Sequence, residues 1–417
     1  MKLDLGKFTG ASNNIETLTK DLSGHQYIML NIEDSNIKLC YSDGKISYIE
    51  TVEGEREPSD EATKIVVELS NLLQKLGLYK ESAEVKVEPL SLTLGGEDSI
   101  LMHCKKYINQ IEYDEDGEMI DNGEGEALTK RIDCSDIHTQ LKYEKVSDSL
   151  KFSMTTRMNY DEIFSGDSWV TCSVNEFKSL LNKLSKTDGA RDCYLSPKAK
   201  SAFSVGTAYT VVLPVDFDIV AAALNITAVK KLFNVLSKVK DDTINLKAQD
   251  SQFLKIATET EDMGIVFEQS PAVRQQIATM ETFSKMDYSG QGVLFNKSVL
   301  SDMVYGAVAV SGKEQETELA FTVKDDVVVA STVKKGTGNG IDDFNVYAYD
   351  VVGEILQFMD FKVSMSFVVL KNILSNCDGN MIDFSFAHTE DSIYLRITDV
   401  LRQGKERKAL GYYYMCV

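Results

Sequence analysis

The chain has 417 residues, of which 43% are hydrophobic, 26% are charged and only 5 are proline; that describes an ordered protein with room for two to four cores of roughly 100–200 residues each, and excludes a linker-rich or disordered one. Against 44 basic residues stand 64 acidic ones, for a formal net charge of −20, so any contact with phosphate must come from a local basic face and not from the surface as a whole. The 7 cysteines are odd in number and contain no CxxC pair, which argues against a disulfide framework and for a reducing compartment. No apolar run approaches the roughly 18 residues of a membrane span, and Lys2, Asp4 and Lys7 occupy the place of a signal-peptide core. A cytoplasmic protein with no membrane partner is expected.

In chain order, Leu3–Phe8 reads as a short strand running into a helix over Asn13–Leu22, followed by extended chain at Ile28–Leu30. A second helix carries Leu73 and Leu76 and precedes a strand with Val85 and Val87. Residues Ile111–Glu126 hold eight carboxylates and no basic residue, so Lys105–Glu144 reads as an acidic, partly disordered insertion. After a polar linker at Asn159–Ser168 the order begins again: a strand at Trp169–Cys172, a helix at Asn175–Leu184, extended chain at Ala208–Leu213. Phe177, Leu180, Leu181 and Leu184 make that helix's apolar stripe, whereas Lys178, Asn182 and Lys186 follow the spacing of an exposed face. In the next helix Val229, Leu232, Val235, Leu236 and Val239 are the stripe and Lys231, Asn234 and Lys238 lie opposite. A second polar linker, Ser270–Gly290, leads to a strand at Gly292–Phe295, a helix at Lys297–Val308 and extended chain at Val327–Thr332. Asn or Ser stands near each helix entry, where a side-chain oxygen can accept from a free helix N–H.

One pattern therefore recurs three times, and it sets the architecture. Laid together without gaps, Leu370, Asn372, Leu374, Ser375 and Ile382 match Leu232, Asn234, Leu236, Ser237 and Ile244. In the first copy Leu73, Leu76, Val85 and Val87 take the places of Leu232, Val235, Ile244 and Leu246. The expected fold class is α+β with three tandem domains, at 1–165 (with the acidic insertion near 105–144), 166–286 and 287–417.

Chemistry is hard to find. The 4 histidines lie in no HExxH arrangement, and only His103-Cys104 places two metal-capable side chains together. Gly336-Thr-Gly338-Asn-Gly340 lacks the spacing and the following helix of a phosphate loop, and Ser311-Gly-Lys313 lacks the upstream glycine of a P-loop. Carboxylate pairs such as Asp325-Asp326 and Asp342-Asp343 sit in turns, where solvated surface explains them. No catalytic residue, metal site or cofactor is expected.

Phe361-Lys-Val-Ser364 with Leu370 and Leu374 is like a phrase FxVSxxxLxxxLxxL, with five residues in place of three between Ser364 and Leu370, and Tyr412-Tyr-Tyr-Met415 stands near the C-terminus. In that order, on a threefold repeat, these segments resemble the third domain of the bacterial-type DNA polymerase sliding clamp, the beta subunit, here in a divergent form that would suit a bacteriophage and a host-cell cytoplasm. Ser270-Pro-Ala-Val-Arg274 resembles that family's Phe-Pro-Asp-Tyr-Arg phrase between domains two and three. The resemblance implies paired helices inside a closed ring with antiparallel sheets outside, a homodimer, sequence-independent contact with double-stranded DNA, a DNA polymerase as partner, and room for a clamp loader. It places Lys178, Lys183, Lys186, Lys230, Lys231, Lys238, Lys240, Lys297 and Lys371 towards DNA, and Gly206, Tyr209, Pro271, Ile277, Tyr413 and Met415 around a partner-peptide pocket. A protein-binding structural or adaptor protein of tandem α+β modules is the competing reading.

Overall fold

The computed structural model describes residues 1–33, 35–55, 63–95, 99–116, 118–120, 126–146, 168–249, 252–260, 262–270, 280–288, 292–311, 317–324, 327–334, 354–355 and 361–416. The fold is α+β, with antiparallel sheets and six named helices among the described residues. Two compact bodies emerge: Met1–Trp169 with Asn234–Gln249 and Phe253–Glu268, and Val170–Phe233 with Asp250–Gln252 and Gln269–Val417. These bodies do not follow the repeat boundaries, because sheets run on from one repeat into the next.

In the first body, the successive strands Thr243–Gln249, Phe253–Thr258 and Met263–Glu268 continue onto Ile46–Glu55, whose residues Ile46 to Glu50 pair with Phe267 to Met263. The second repeat's closing strands thus extend the first repeat's sheet. In the second body, Thr210, Val211 and Val212 pair with Tyr414, Tyr413 and Tyr412, which joins the sheet of Asp192–Ser196, Ser201–Val205 and Thr210–Pro214 to that of Glu406–Cys416, Ile393–Gln403 and Met381–His388. Each of these junctions uses strand edges that would otherwise stay open to other chains.

The helices start where a side chain can cap them. Asp4 accepts from the Lys7 N–H at 2.9 Å and opens the helix Leu5–Thr19, so the expected strand to Phe8 stops at Leu3. Such a cap stabilises by about 1 kcal/mol. Ser173 caps Val174–Ser185 in the same way through Glu176 N. Packing then decides the register. Leu69, Leu72 and Leu76 are buried at the spacing of Val229, Leu232 and Leu236 and of Phe367, Leu370 and Leu374. The first repeat is therefore aligned one residue away from the sequence match, since Leu72 and not Leu73 occupies the place of Leu232.

The acidic insertion is an ordered element over most of its length. Ser99–Ile111 and Thr129–Lys142 form a long antiparallel hairpin, held at its base by the Tyr79 hydroxyl donating to Met102 O at 3.0 Å and along its side by Arg131, which pairs with Glu88 and Asp133 and lies 4.2 Å from the Tyr107 ring centroid. Net charge misleads here because cross-strand pairing satisfies the backbone while the carboxylates stay solvated. Part of the second linker also folds: residues 280–285 are helical, and Met280 and Tyr288 are buried with Tyr194, Phe203 and Tyr414. The first linker's residues 159–167 and the glycine-rich segment 336–340 lie outside the described residues.

One buried carboxyl in the first body predicts a pH dependence. Glu50 accepts from the Tyr48 hydroxyl and from Asn14 Nδ2, yet burial outweighs both and raises its pKa above the ordinary carboxylate value. The native state then holds this proton over a pH range where the unfolded chain has released it, so its contribution falls as pH rises from the usual carboxylate value through the folded one. Glu50→Gln is expected to flatten that fall in a urea-midpoint series from pH 4.5 to 7.5; an unchanged slope would place the titrating group elsewhere.

Candidate functional site

The nine lysines are not equivalent. In the second body the helices Val174–Ser185, Ile226–Leu236 and Phe367–Asn376 border a polar groove of about 520 Å³ lined by Asn182, Lys186, Lys230, Asn372 and Asn376. Lys186 and Lys230 are exposed there. Around them the backbone is pinned: the Tyr209 hydroxyl donates to Lys186 O at 3.3 Å, and Thr207 N donates to Asp188 O at 3.1 Å. Exposed Asp188 also lines the groove; the two ammonium groups and the amides beside them can contact phosphate oxygens without reading bases.

Most of the other lysines have protein partners or are at least half-buried. Lys183 Nζ pairs with Asp378 at 2.6 Å, Lys297 donates to Cys377 O, and Lys371 Nζ lies 5.7 Å from the Phe367 ring centroid. Lys178 is half-buried. Lys231 is only 5% exposed, contrary to its expected place on the solvent face: in the Ile226–Leu236 helix it is buried next to Leu232. In the first body Lys238 and Lys240 are exposed, and Lys238 Nζ donates to Thr17 Oγ1 at 2.8 Å, which orients it beside the Leu5–Thr19 helix.

A second feature of the second body is apolar. Tyr194, Phe203, Met280, Tyr412 and Tyr414 line a groove of about 790 Å³, with Lys198, Lys200 and Glu281 on its rim. That size suits a side-chain-bearing ligand. Its walls are stacked aromatics: Tyr194 on Phe203 at 4.8 Å, Tyr412 on Tyr414 at 6.3 Å and Phe283 on Tyr414 at 5.6 Å between centroids. Arg396 sits 4.6 Å from the Tyr288 centroid and 5.9 Å from that of Tyr412. Burial pushes the Tyr414 phenol up to about 12, so this wall is uncharged at neutral pH. Ser270 N donates to Ala223 O, and Ala223 N donates to Gln269 Oε1 at 3.0 Å, which ties the chain leading to Pro271 against the groove's edge.

Only part of the expected pocket falls here. Pro271 and Ile277 lie outside the described residues, although their neighbours Ser270 and Met280 line the groove. On the closing strand, successive side chains alternate between faces. Tyr412 and Tyr414 turn to the groove, while Tyr413 and Met415, 1% and 4% exposed, belong to the core. Gly206 and Tyr209 do not line this groove, which is lined from the turn 197–200 at the opposite end of the hairpin. Gly206 serves packing: a Cβ there would meet Asp188 O at 2.2 Å. Tyr209 is buried with its ring 6.2 Å from that of Tyr413. The sequence reading did not name Tyr194, Phe203, Met280, Tyr412 or Tyr414 for this groove; Tyr412 and Tyr414 carry a signal visible in retrospect, aromatics at alternate positions of one strand, whereas Met280 comes from the helical segment 280–285.

No protein-family model matches the sequence, and no curated protein does. Solved structures do. The chain is similar to the DNA polymerase III beta subunit of Thermotoga maritima, at 11% identity and a TM-score of 0.63 over 100% of this chain and 98% of that one. It is similar to the DNA polymerase sliding clamps of Caulobacter crescentus, at 10% identity and 0.66, and of Pseudomonas aeruginosa, at 10% and 0.65, each over 100% of this chain and 99% of the other. The chain has the fold of these clamps along its whole length.

Proposed function

We propose that the chain is a sliding clamp, a non-enzymatic processivity factor that encircles duplex DNA and tethers a replicative polymerase. The observation that carries this reading is the likeness over the full length of both chains, since a module shared by chance would cover part of one. The polar Lys186–Lys230 groove adds what such a protein needs on its inner face: cations without base-reading geometry. Repeats at 1–165, 166–286 and 287–417 then act as three domains, and two chains close a six-domain ring. A heterologous contact of that kind must close or it forms filaments. The expected particle has twice the 46.4 kDa of one chain and a central hole by electron microscopy; a monomer at micromolar concentration with no ring would overturn the reading.

The aromatic groove is the proposed docking site for a short apolar peptide of the polymerase. Its lysines favour an acidic residue on that peptide, and its aromatic walls supply the anchors that dominate such contacts. Tyr412, half-buried against the groove, can be removed at little cost to the core. Tyr412→Ala is expected to weaken polymerase-peptide binding by roughly 30-fold, the effect of losing one anchor of about 2 kcal/mol, measured by fluorescence anisotropy, with the melting temperature nearly unchanged. Equal affinity in the variant would move the docking site off this groove.

A further inference from the structure

The hairpin formed by Ser99–Ile111 and Thr129–Lys142 brings His103 together with Asp136, 33 residues away in the sequence, and with nearby His138. His103 and His138 are direct cross-strand partners. Asp136 stands two residues before His138, so all three project from the same face of the hairpin. The imidazoles stack with centroids 4.2 Å apart and planes 10° from parallel. His103 Nε2 pairs with Asp136 Oδ1, and His138 Nε2 lies 3.3 Å from that oxygen. One ligand atom from each residue falls within 4.8 Å of the other two. Cys104, the metal-capable neighbour that the sequence suggests, points the other way, with its Sγ 3.2 Å from Glu88 O.

We propose that His103, Asp136 and His138 form a zinc-type divalent metal site that clips the two strands of this hairpin. Two imidazoles and one carboxylate suit zinc and its transition-metal neighbours, whereas magnesium and calcium prefer oxygen throughout. Bonds of about 2.0–2.1 Å in a tetrahedron set ligand atoms about 3.3 Å apart, the separation of His138 Nε2 and Asp136 Oδ1 already; metal binding replaces the His103–Asp136 hydrogen bond. Asp136 and His138 are 53% and 69% exposed, so water can complete the tetrahedron and metal can enter without opening the fold. Lys105, opposite Asp136 in register, places a like charge near the ion and limits affinity. The clip stiffens an element that projects acidic side chains into solvent, and it is independent of the clamp reading.

The test is a titration of the full chain with zinc by calorimetry and with cobalt by its visible absorption. Cys134 and Cys416, the exposed thiols, are first changed to serine to remove competing ligands. One equivalent is expected to bind, with His138→Ala weakening affinity by more than about tenfold. Lys105→Gln is expected to tighten it, a gain that no folding defect can imitate. Absence of stoichiometric binding, or equal binding in His138→Ala and Asp136→Asn, would overturn the proposal.

Discussion

Changing Lys186 and Lys230 together to glutamate is expected to weaken duplex binding by at least roughly 60-fold at 0.1 M salt, and to lower the salt slope by about two units. Each phosphate contact on duplex DNA releases counterions worth a slope of about 0.9, which is about eightfold per contact at that salt. The two ammonium groups line one polar groove with Asn182 and Asn372, and both are exposed. They sit off the apolar stripe of Phe177, Leu181, Val229 and Leu232, so thermal stability is expected to hold. Lys231 would be a poor choice for this test, because its burial makes a glutamate there a folding mutation. Filter binding across a salt series decides the matter. An unchanged slope would show that this groove does not face DNA.

Phe384→Ala is expected to cost about 3–5 kcal/mol, the usual range for emptying a buried phenylalanine site. Phe384 is 1% exposed and meets Phe295 and Phe321 edge to face, at 5.0 and 5.4 Å between centroids. Three rings from three strands cannot collapse into the space one leaves, since each is fixed by its own ladder. Leu101→Ala, at a position 44% exposed, is expected to change stability by less than about 0.5 kcal/mol. Urea unfolding compares the two. Similar losses would mean that the core of the second body is not centred on these rings.

Much of the fold is legible in the sequence because helix amphipathicity is a local signal. The stripe of Val229, Leu232, Val235 and Leu236 names its helix, and the threefold spacing names the architecture. Where local and tertiary preferences compete, the reading slips by a residue or a face. Leu72 and Leu73 are chemically alike, and only packing selects Leu72 for the core. Tyr412, Tyr413 and Tyr414 are identical in type, so which of them faces the groove depends on the strand's register with Val212, Val211 and Thr210. The hairpin of the acidic insertion hides for another reason: its stability comes from pairing between strands, which composition does not record. His103 and His138 meet only through that pairing. Lys183, Lys231 and Lys297 read as free cations, yet their surroundings are supplied by Asp378, by burial and by Cys377 O.

The proposed ring of two chains would surround the duplex and slide along it. The most direct measurement is retention on a nicked circular duplex during gel filtration in high salt, before and after the circle is linearised. A threaded ring stays with the circle when salt has screened its phosphate contacts, and it is lost once a free end exists. Retention on the circle and release from the linear form are expected of a sliding clamp. Equal retention on both forms, or release from both, would contradict that reading.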